Sequence, residues 1–188
     1  MHTFVTKLTN HSYVFVTFCN SGFTDGSSGK IPEGDTTRYG IGAFFGWQNP
    51  LNFGIPASLA CASMYECELE AVYRAFLAAR KMADAQGGIP LCRKITICID
   101  NAEAKAVIET SIQEVDGATC LEALLANNDR VRKIIHEIRE MIKVYTSVEM
   151  KWVRSHTNSR SLMARGNEQA DTLAKEGLSK AFDEIEEL

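Results

Sequence analysis

Four acidic side chains stand where this chain could do chemistry: Asp25, Glu68, Asp100 and Asp171. Asp100 directly follows the apolar run Lys94-Ile-Thr-Ile-Cys-Ile99, and strand ends in open α/β sheets often carry catalytic groups. Glu68 lies near the start of an amphipathic stretch, off its apolar face. Asp25 sits in Phe23-Thr-Asp-Gly-Ser27, and Asp171 closes Gly166-Asn-Glu-Gln-Ala-Asp171, read as the first turn of a last helix. Each also has a plainer reading. Asp100 can cap the helix that follows it, and Asp171 can complement a helix dipole. Spacing alone leaves a shared site and these plainer readings both open.

The elements that must position these groups follow from period and turn chemistry. Residues 13–19 (Tyr-Val-Phe-Val-Thr-Phe-Cys) are apolar, β-branched and aromatic, which predicts a central strand. Residues 20–38 are rich in Gly, Ser and Asp and read mostly as loop. Residues 39–47 and 51–57 read as two more strands around the Gln48-Asn49-Pro50 turn, an antiparallel meander. From residue 66 to 85 the period becomes helical, with Leu69, Val72, Tyr73, Phe76, Ala79 and Met82 on one face. A strand at 94–99, a helix at 102–111, a helix capped by Asn128, a strand at 147–153 and a helix at 167–178 complete the order. The buried stripe of the Asn128-capped helix is Val131, Ile134, Ile135, Ile138 and Ile142. A meander followed by strand–helix alternation implies an α/β domain, a mixed sheet covered by helices. The expected boundaries are a leader at residues 1–11, one domain at 12–180 and an acidic tail at 181–188, frayed from residue 183 onward.

Composition narrows the function classes. A chain of 188 residues, 45% apolar and 23% charged, can bury a sizeable core and is neither disordered nor fibrous in type. Its net charge of −4 argues against binding nucleic acid by blanket positive charge, while leaving room for a local basic patch. No glycine-rich phosphate loop or dinucleotide fingerprint occurs. The six cysteines include no CxxC pair, and Cys98 lies within an apolar strand, as a buried free thiol would. These features favour a reducing, intracellular location, nucleus or cytoplasm. No apolar run is long enough to span a membrane.

Several segments, in order, resemble eukaryotic type 1 ribonuclease H. Phe23-Thr-Asp-Gly-Ser-Ser28, Tyr39-Gly-Ile-Gly-Ala-Phe-Phe-Gly46 and Asn49-Pro-Leu-Asn52 are similar to its opening strands. Glu68-Leu-Glu-Ala71 resembles its first-helix motif, and Ile97-Cys-Ile-Asp-Asn101 its fourth strand. Trp152-Val-Arg-Ser-His156 and Gly166-Asn-Glu-Gln-Ala-Asp-Thr-Leu-Ala174 resemble its closing signature. The likeness runs from about residue 13 to 177.

The resemblance implies a ribonuclease H-like fold, a five-stranded mixed sheet with helices on both faces. It also implies an endonuclease that cuts the RNA strand of RNA–DNA hybrids using two Mg²⁺ ions, with Mn²⁺ as a substitute. Hard divalent ions take carboxylate oxygens, and a pair about 4 Å apart can stabilise both attacking and leaving oxygens. Carried over, Asp25, Glu68, Asp100 and Asp171 are the metal-holding catalytic carboxylates, and His156 matches a loop histidine that aids product release or shuttles a proton. Asn20, after the apolar run, is the alternative occupant of the first position. Asp25 is preferred because its motif matches better and an amide cannot supply the charge.

Substrate grip departs from the family's pattern. Ala62-Ser-Met-Tyr-Glu-Cys-Glu68 places Met64 where a polar contact to the RNA 2′-hydroxyl is expected, with Tyr65 a partial substitute. Ser63 and Asn127 are candidates for a DNA-phosphate pocket, and Arg160 and Arg165 for further phosphate contacts. The family's basic, Trp-containing handle is replaced by the acidic Ile112-Gln-Glu-Val-Asp-Gly117. The expected partner is an RNA–DNA hybrid, bound weakly by a monomer with no membrane association. Two other readings remain: a catalytically weakened interaction module, and a nuclease acting on other RNA-containing duplexes.

Overall fold

The structure is a computed structural model that describes residues 3–8, 12–17, 21–30, 36–85, 94–113, 128–143, 145, 147–155 and 160–186. Its strands are β1 (Thr3–Leu8), β2 (Ser12–Thr17), β3 (Ser21–Lys30), β4 (Thr37–Phe44), β5 (Phe53–Pro56), β6 (Lys94–Ile99) and β7 (Ser147–Trp152). Its helices are α1 (Met64–Ala85), α2 (Ala102–Gln113), α3 (Asp129–Ile142) and α4 (Leu162–Glu186). Five strands form one mixed sheet in the order β5-β4-β3-β6-β7. The pairs β5/β4 and β4/β3 are antiparallel, whereas β3/β6 and β6/β7 are parallel.

The central strand differs from the sequence-based expectation. Ser12–Thr17, within the run expected to be central, pairs antiparallel with β1 in a separate two-stranded sheet. The strand at the middle of the main sheet is instead β3, which falls in the stretch read as loop. Its glycines mark close packing rather than a turn. A β-carbon on Gly22 would come within 2.6 Å of the Phe45 ring, and one on Gly26 within 2.9 Å of Cys67 Sγ. Gly29 does the same on the other face, where a β-carbon would meet Phe182 at 3.0 Å, so low hydrophobicity marks tight contact from both sides.

Helices cover both faces. On one, α1, α2 and α3 enclose the main core, with Leu69, Val72, Phe76, Ile97, Ile108, Ile135 and Ile138 buried. On the other, α4 lies so close to the sheet that β-carbons on Gly40 and Gly42 would run into its backbone. These two glycines alternate with Ile41 and Ala43, which face the α1 side, as the two-residue period of a strand requires.

Most other expected elements agree in type and place. Asn128 caps α3, its side chain accepting from Val131 N–H at 3.0 Å. Cys61, Cys67 and Cys98 are buried. The bounds of the last helix move most. α4 starts at Leu162 rather than residue 167, and it continues to Glu186 through the segment expected to fray. Asp171 is therefore two turns inside the helix, too far from the N-terminus for the dipole reading to explain it. Among the described residues, no helix is long and apolar enough to cross a membrane.

Candidate active site

Register brings the first two carboxylates together. β3 and β6 run parallel with Thr24 opposite Ile99, so Asp25 and Asp100 are the next residues on neighbouring strands. α1 supplies Glu68 from its second turn. Oxygen atoms of Asp25, Glu68 and Asp100 all lie within 4.8 Å of one another, a set that could hold a metal ion. Asp25 and Glu68 are buried, while Asp100 is half-buried.

The electrostatics of three clustered acids are unfavourable without a cation. Burial, with the negative charge of Asp100 added, pushes Asp25 up to about 7, against 3.8 for an ordinary aspartate. The Gly26 N–H, donating to Asp25 Oδ1 at 2.8 Å, offsets part of that. Burial also raises Glu68 well above its usual range, reinforced by Asp25 and then Asp100. Glu68 Oε2 is buried without a hydrogen-bond partner among the described residues. Desolvated, mutually repelling carboxylates with an unsatisfied oxygen fit a hard divalent cation, which neutralises them and takes oxygen ligands.

Asp171 lies outside the tight set of three. It is half-buried on α4, and its Oδ2 accepts from Lys175 Nζ at 2.7 Å, one turn along the helix. Its charge nonetheless reaches Asp25 and helps to raise it. Asp100 does not cap α2. That task falls to Asn101, whose Oδ1 accepts from Ala104 N–H at 2.9 Å, leaving the Asp100 carboxylate available.

The expected substrate contacts are placed unevenly. Ser63 caps α1, its Oγ accepting from Glu66 N–H at 3.2 Å. Glu66 accepts from Ala62 N–H at 3.0 Å and from Asn128 Nδ2 at 2.8 Å, and pairs with Arg130 Nε at 3.3 Å. A buried carboxylate therefore sits beside Ser63. Tyr65 packs against the main core, and burial, with Glu103 nearby, pushes its hydroxyl up to about 12. Arg160 and Arg165 are exposed, at the approach to α4 and in its first turn. Asn20, Asn127 and His156 lie outside the described residues.

Sequence reasoning missed two groups that touch Asp100. Asn167 Nδ2 donates to Asp100 Oδ2 at 3.2 Å, and Trp152 Nε1 donates to the Asp100 carbonyl at 2.9 Å. The spacing of Asn167 four residues before Asp171, on the same helical face, is the signal that could have found the first.

A five-stranded mixed sheet sandwiched by helices, with acids gathered at the ends and middle of its central strands, defines the ribonuclease H-like fold class. Residues 20–179 match the RNase H family, and the chain belongs to that family. No curated protein matches it in sequence. RNase H1 from the halophilic archaeon Halobacterium salinarum NRC-1 is 18% identical, with a TM-score of 0.50 over 85% of this chain and 97% of that one. The PFV RNase H domain is 17% identical, with a TM-score of 0.60 over 87% of this chain and 96% of that one. The foamy viral protease-reverse transcriptase in complex with RNA/DNA hybrid is 14% identical, with a TM-score of 0.56, covering 93% of this chain and 22% of that one. At these identities the likeness is one of fold.

Proposed function

We propose that this chain is a metal-dependent endonuclease that hydrolyses the RNA strand of RNA–DNA hybrids. The observation that carries this reading is the convergence of Asp25, Glu68 and Asp100, with oxygens within 4.8 Å, in a member of the RNase H family. These three, with Asp171 from α4, are the groups that would hold two divalent ions, Mg²⁺ or Mn²⁺. Such ions supply charge neutralisation at the phosphodiester and a route to an activated water. The chain's own part is to hold the carboxylates on two strands and two helices, so that none has to be moved into place during the reaction.

Asp171 would offer its oxygens while paired with Lys175, and His156 would assist proton transfer or product release. Ser63 retains a hydroxyl proton to donate to a phosphate oxygen. Asn127, Tyr65, Arg160 and Arg165 complete the proposed grip on the hybrid. The net charge of −4 supports weak, salt-sensitive association. That feature also keeps the interaction-module reading in view, in which hybrid is bound but not cut.

The test is cleavage of an end-labelled RNA–DNA hybrid in Mg²⁺ or Mn²⁺ by the wild type, Asp25→Asn and Asp100→Asn. The expected result is RNA-strand cutting that both substitutions abolish. Cutting that survives Asp25→Asn would remove Asp25 from the site. A wild type that binds hybrid without cutting would favour the interaction module.

A further inference from the structure

Asp100 is held from two sides by groups that belong to different elements. From β7, the indole N–H of Trp152 donates to its main-chain carbonyl at 2.9 Å. From α4, the side-chain amide of Asn167 donates to its carboxylate Oδ2 at 3.2 Å. Asp100 itself is the first residue beyond β6; the peptide before it is still held, the Ile99 carbonyl accepting from Val153 N–H at 2.9 Å. These two donors restrain the carbonyl and the carboxylate of Asp100 from outside its own strand.

Asn167 is costly to keep. It is 5% exposed, and its Oδ1 is buried with no hydrogen-bond partner among the described residues. A buried amide oxygen with no donor lowers stability, so an apolar residue of similar size would pack there at least as well. The neighbouring contact shows how firmly the residue is seated. A β-carbon on Gly166 would overlap the Phe23 ring, so α4 rests directly on β3 at this point, two residues from Asp25. Trp152 is similarly unhelpful to the core, since about half of its surface, 51%, remains exposed.

We propose that Asn167 and Trp152 are positioning residues for Asp100, with Asn167 fixing its carboxylate for divalent-metal binding and Trp152 fixing its backbone. This rests on the metal-site reading above. The donated N–H restrains Asp100 Oδ2 and leaves the lone pairs of Oδ1 open to an ion. A carboxylate whose rotamer is set in advance loses less freedom on binding an ion, and support of this kind around metal ligands commonly changes affinity or activity by 10-fold or more.

The experiment measures Mn²⁺ binding by calorimetry and metal-free thermal stability on the full chain, for the wild type, Asn167→Leu, Trp152→Phe and Asp100→Asn. kcat and KM for hybrid cleavage are measured beside them. Asn167→Leu should bind Mn²⁺ about 10-fold more weakly, with metal-free melting unchanged or raised. Its kcat should fall while KM for the hybrid holds. Trp152→Phe, which keeps an aromatic side chain and removes the N–H, should show a smaller loss in the same direction.

Wild-type Mn²⁺ affinity in both variants would overturn the proposal. So would an Asn167→Leu chain that fails to fold or melts lower without metal, because Asn167 would then be structural. Equal Mn²⁺ binding by the wild type and Asp100→Asn would instead remove the metal-site reading on which the proposal stands.

Discussion

Asp25 and Asp100 occupy matching positions on adjacent parallel strands. Thr24 pairs with Ile99, and each carboxylate is the next residue along. Asp25 is held within the hydrogen-bond ladder and Asp100 stands one residue past its end, while Glu68 reaches them from the helix above the same strand. A fold that places three acids within 4.8 Å, two of them buried, holds them at an electrostatic cost that a cation would relieve.

That cost should be visible in the pH dependence of the metal-free protein. Asp25, pushed up to about 7, and Glu68, also raised, both have folded-state values above their unfolded ones. A group raised in this way stabilises the fold fully below its unfolded value, near 4, and the contribution is lost as pH rises through the folded value. The melting temperature without metal should therefore fall between about pH 5 and pH 8. Added Mg²⁺ or Mn²⁺ should restore it most at the alkaline end, where the carboxylates are ionised. Thermal melts across that range, with metal and with chelator, check this. A flat chelator curve would mean that the three acids are not mutually strained.

The seat of α4 makes a second prediction. A β-carbon at Gly42 would strike the backbone at Ala170 and Ala174, so Gly42→Ala must push α4 off the sheet. Overpacking of this kind costs about 1–3 kcal/mol, and more where backbone has to move. The same shift carries Asn167 and Asp171 away from Asp100 and Asp25. Urea midpoint and Mn²⁺ affinity should fall together. A variant that loses stability but keeps its metal affinity would show that α4 does not complete the site.

Arg130 makes the third. It pairs with Glu66 and Glu70, both buried on α1, and donates to Ser58 Oγ at 3.2 Å. Arg130→Met keeps a long side chain but leaves two buried carboxylates short of a cation. Arg74, 3.4 Å from Glu70, offsets only part of this. Removing one partner of a buried ion pair typically costs about 3–5 kcal/mol. Chemical denaturation of Arg130→Met measures the cost. The triple change Arg130→Met, Glu66→Gln, Glu70→Gln should recover most of it, and a failure to recover would place the loss in packing.

Much of this architecture is legible in the residues. The helical stripe of Leu69, Val72 and Phe76, the cap at Asn128, the β6 run ending at Asp100 and the last helix carrying Asp171 all follow from period and local chemistry. They do so because burial on one face and satisfaction of chain ends act over a few residues. The strand that carries Asp25 is different. Ser21–Lys30 contains Gly22, Gly26 and Gly29, which read as loop because a strand's local signal is its side chains.

Only packing from both faces makes those glycines necessary. Phe45 and Cys67 press from the α1 side at Gly22 and Gly26, and Leu178 and Phe182 of α4 press at Gly29. The sequence by itself determined the layered α/β class and the order of the elements from α1 onward, and it singled out the acids as candidates. Tertiary structure decided which strand is central, hence that Asp25 stands beside Asp100, and that Asn167 and Trp152 converge on the latter. Those relationships depend on register and helix seating between segments far apart in the chain, which no local pattern encodes.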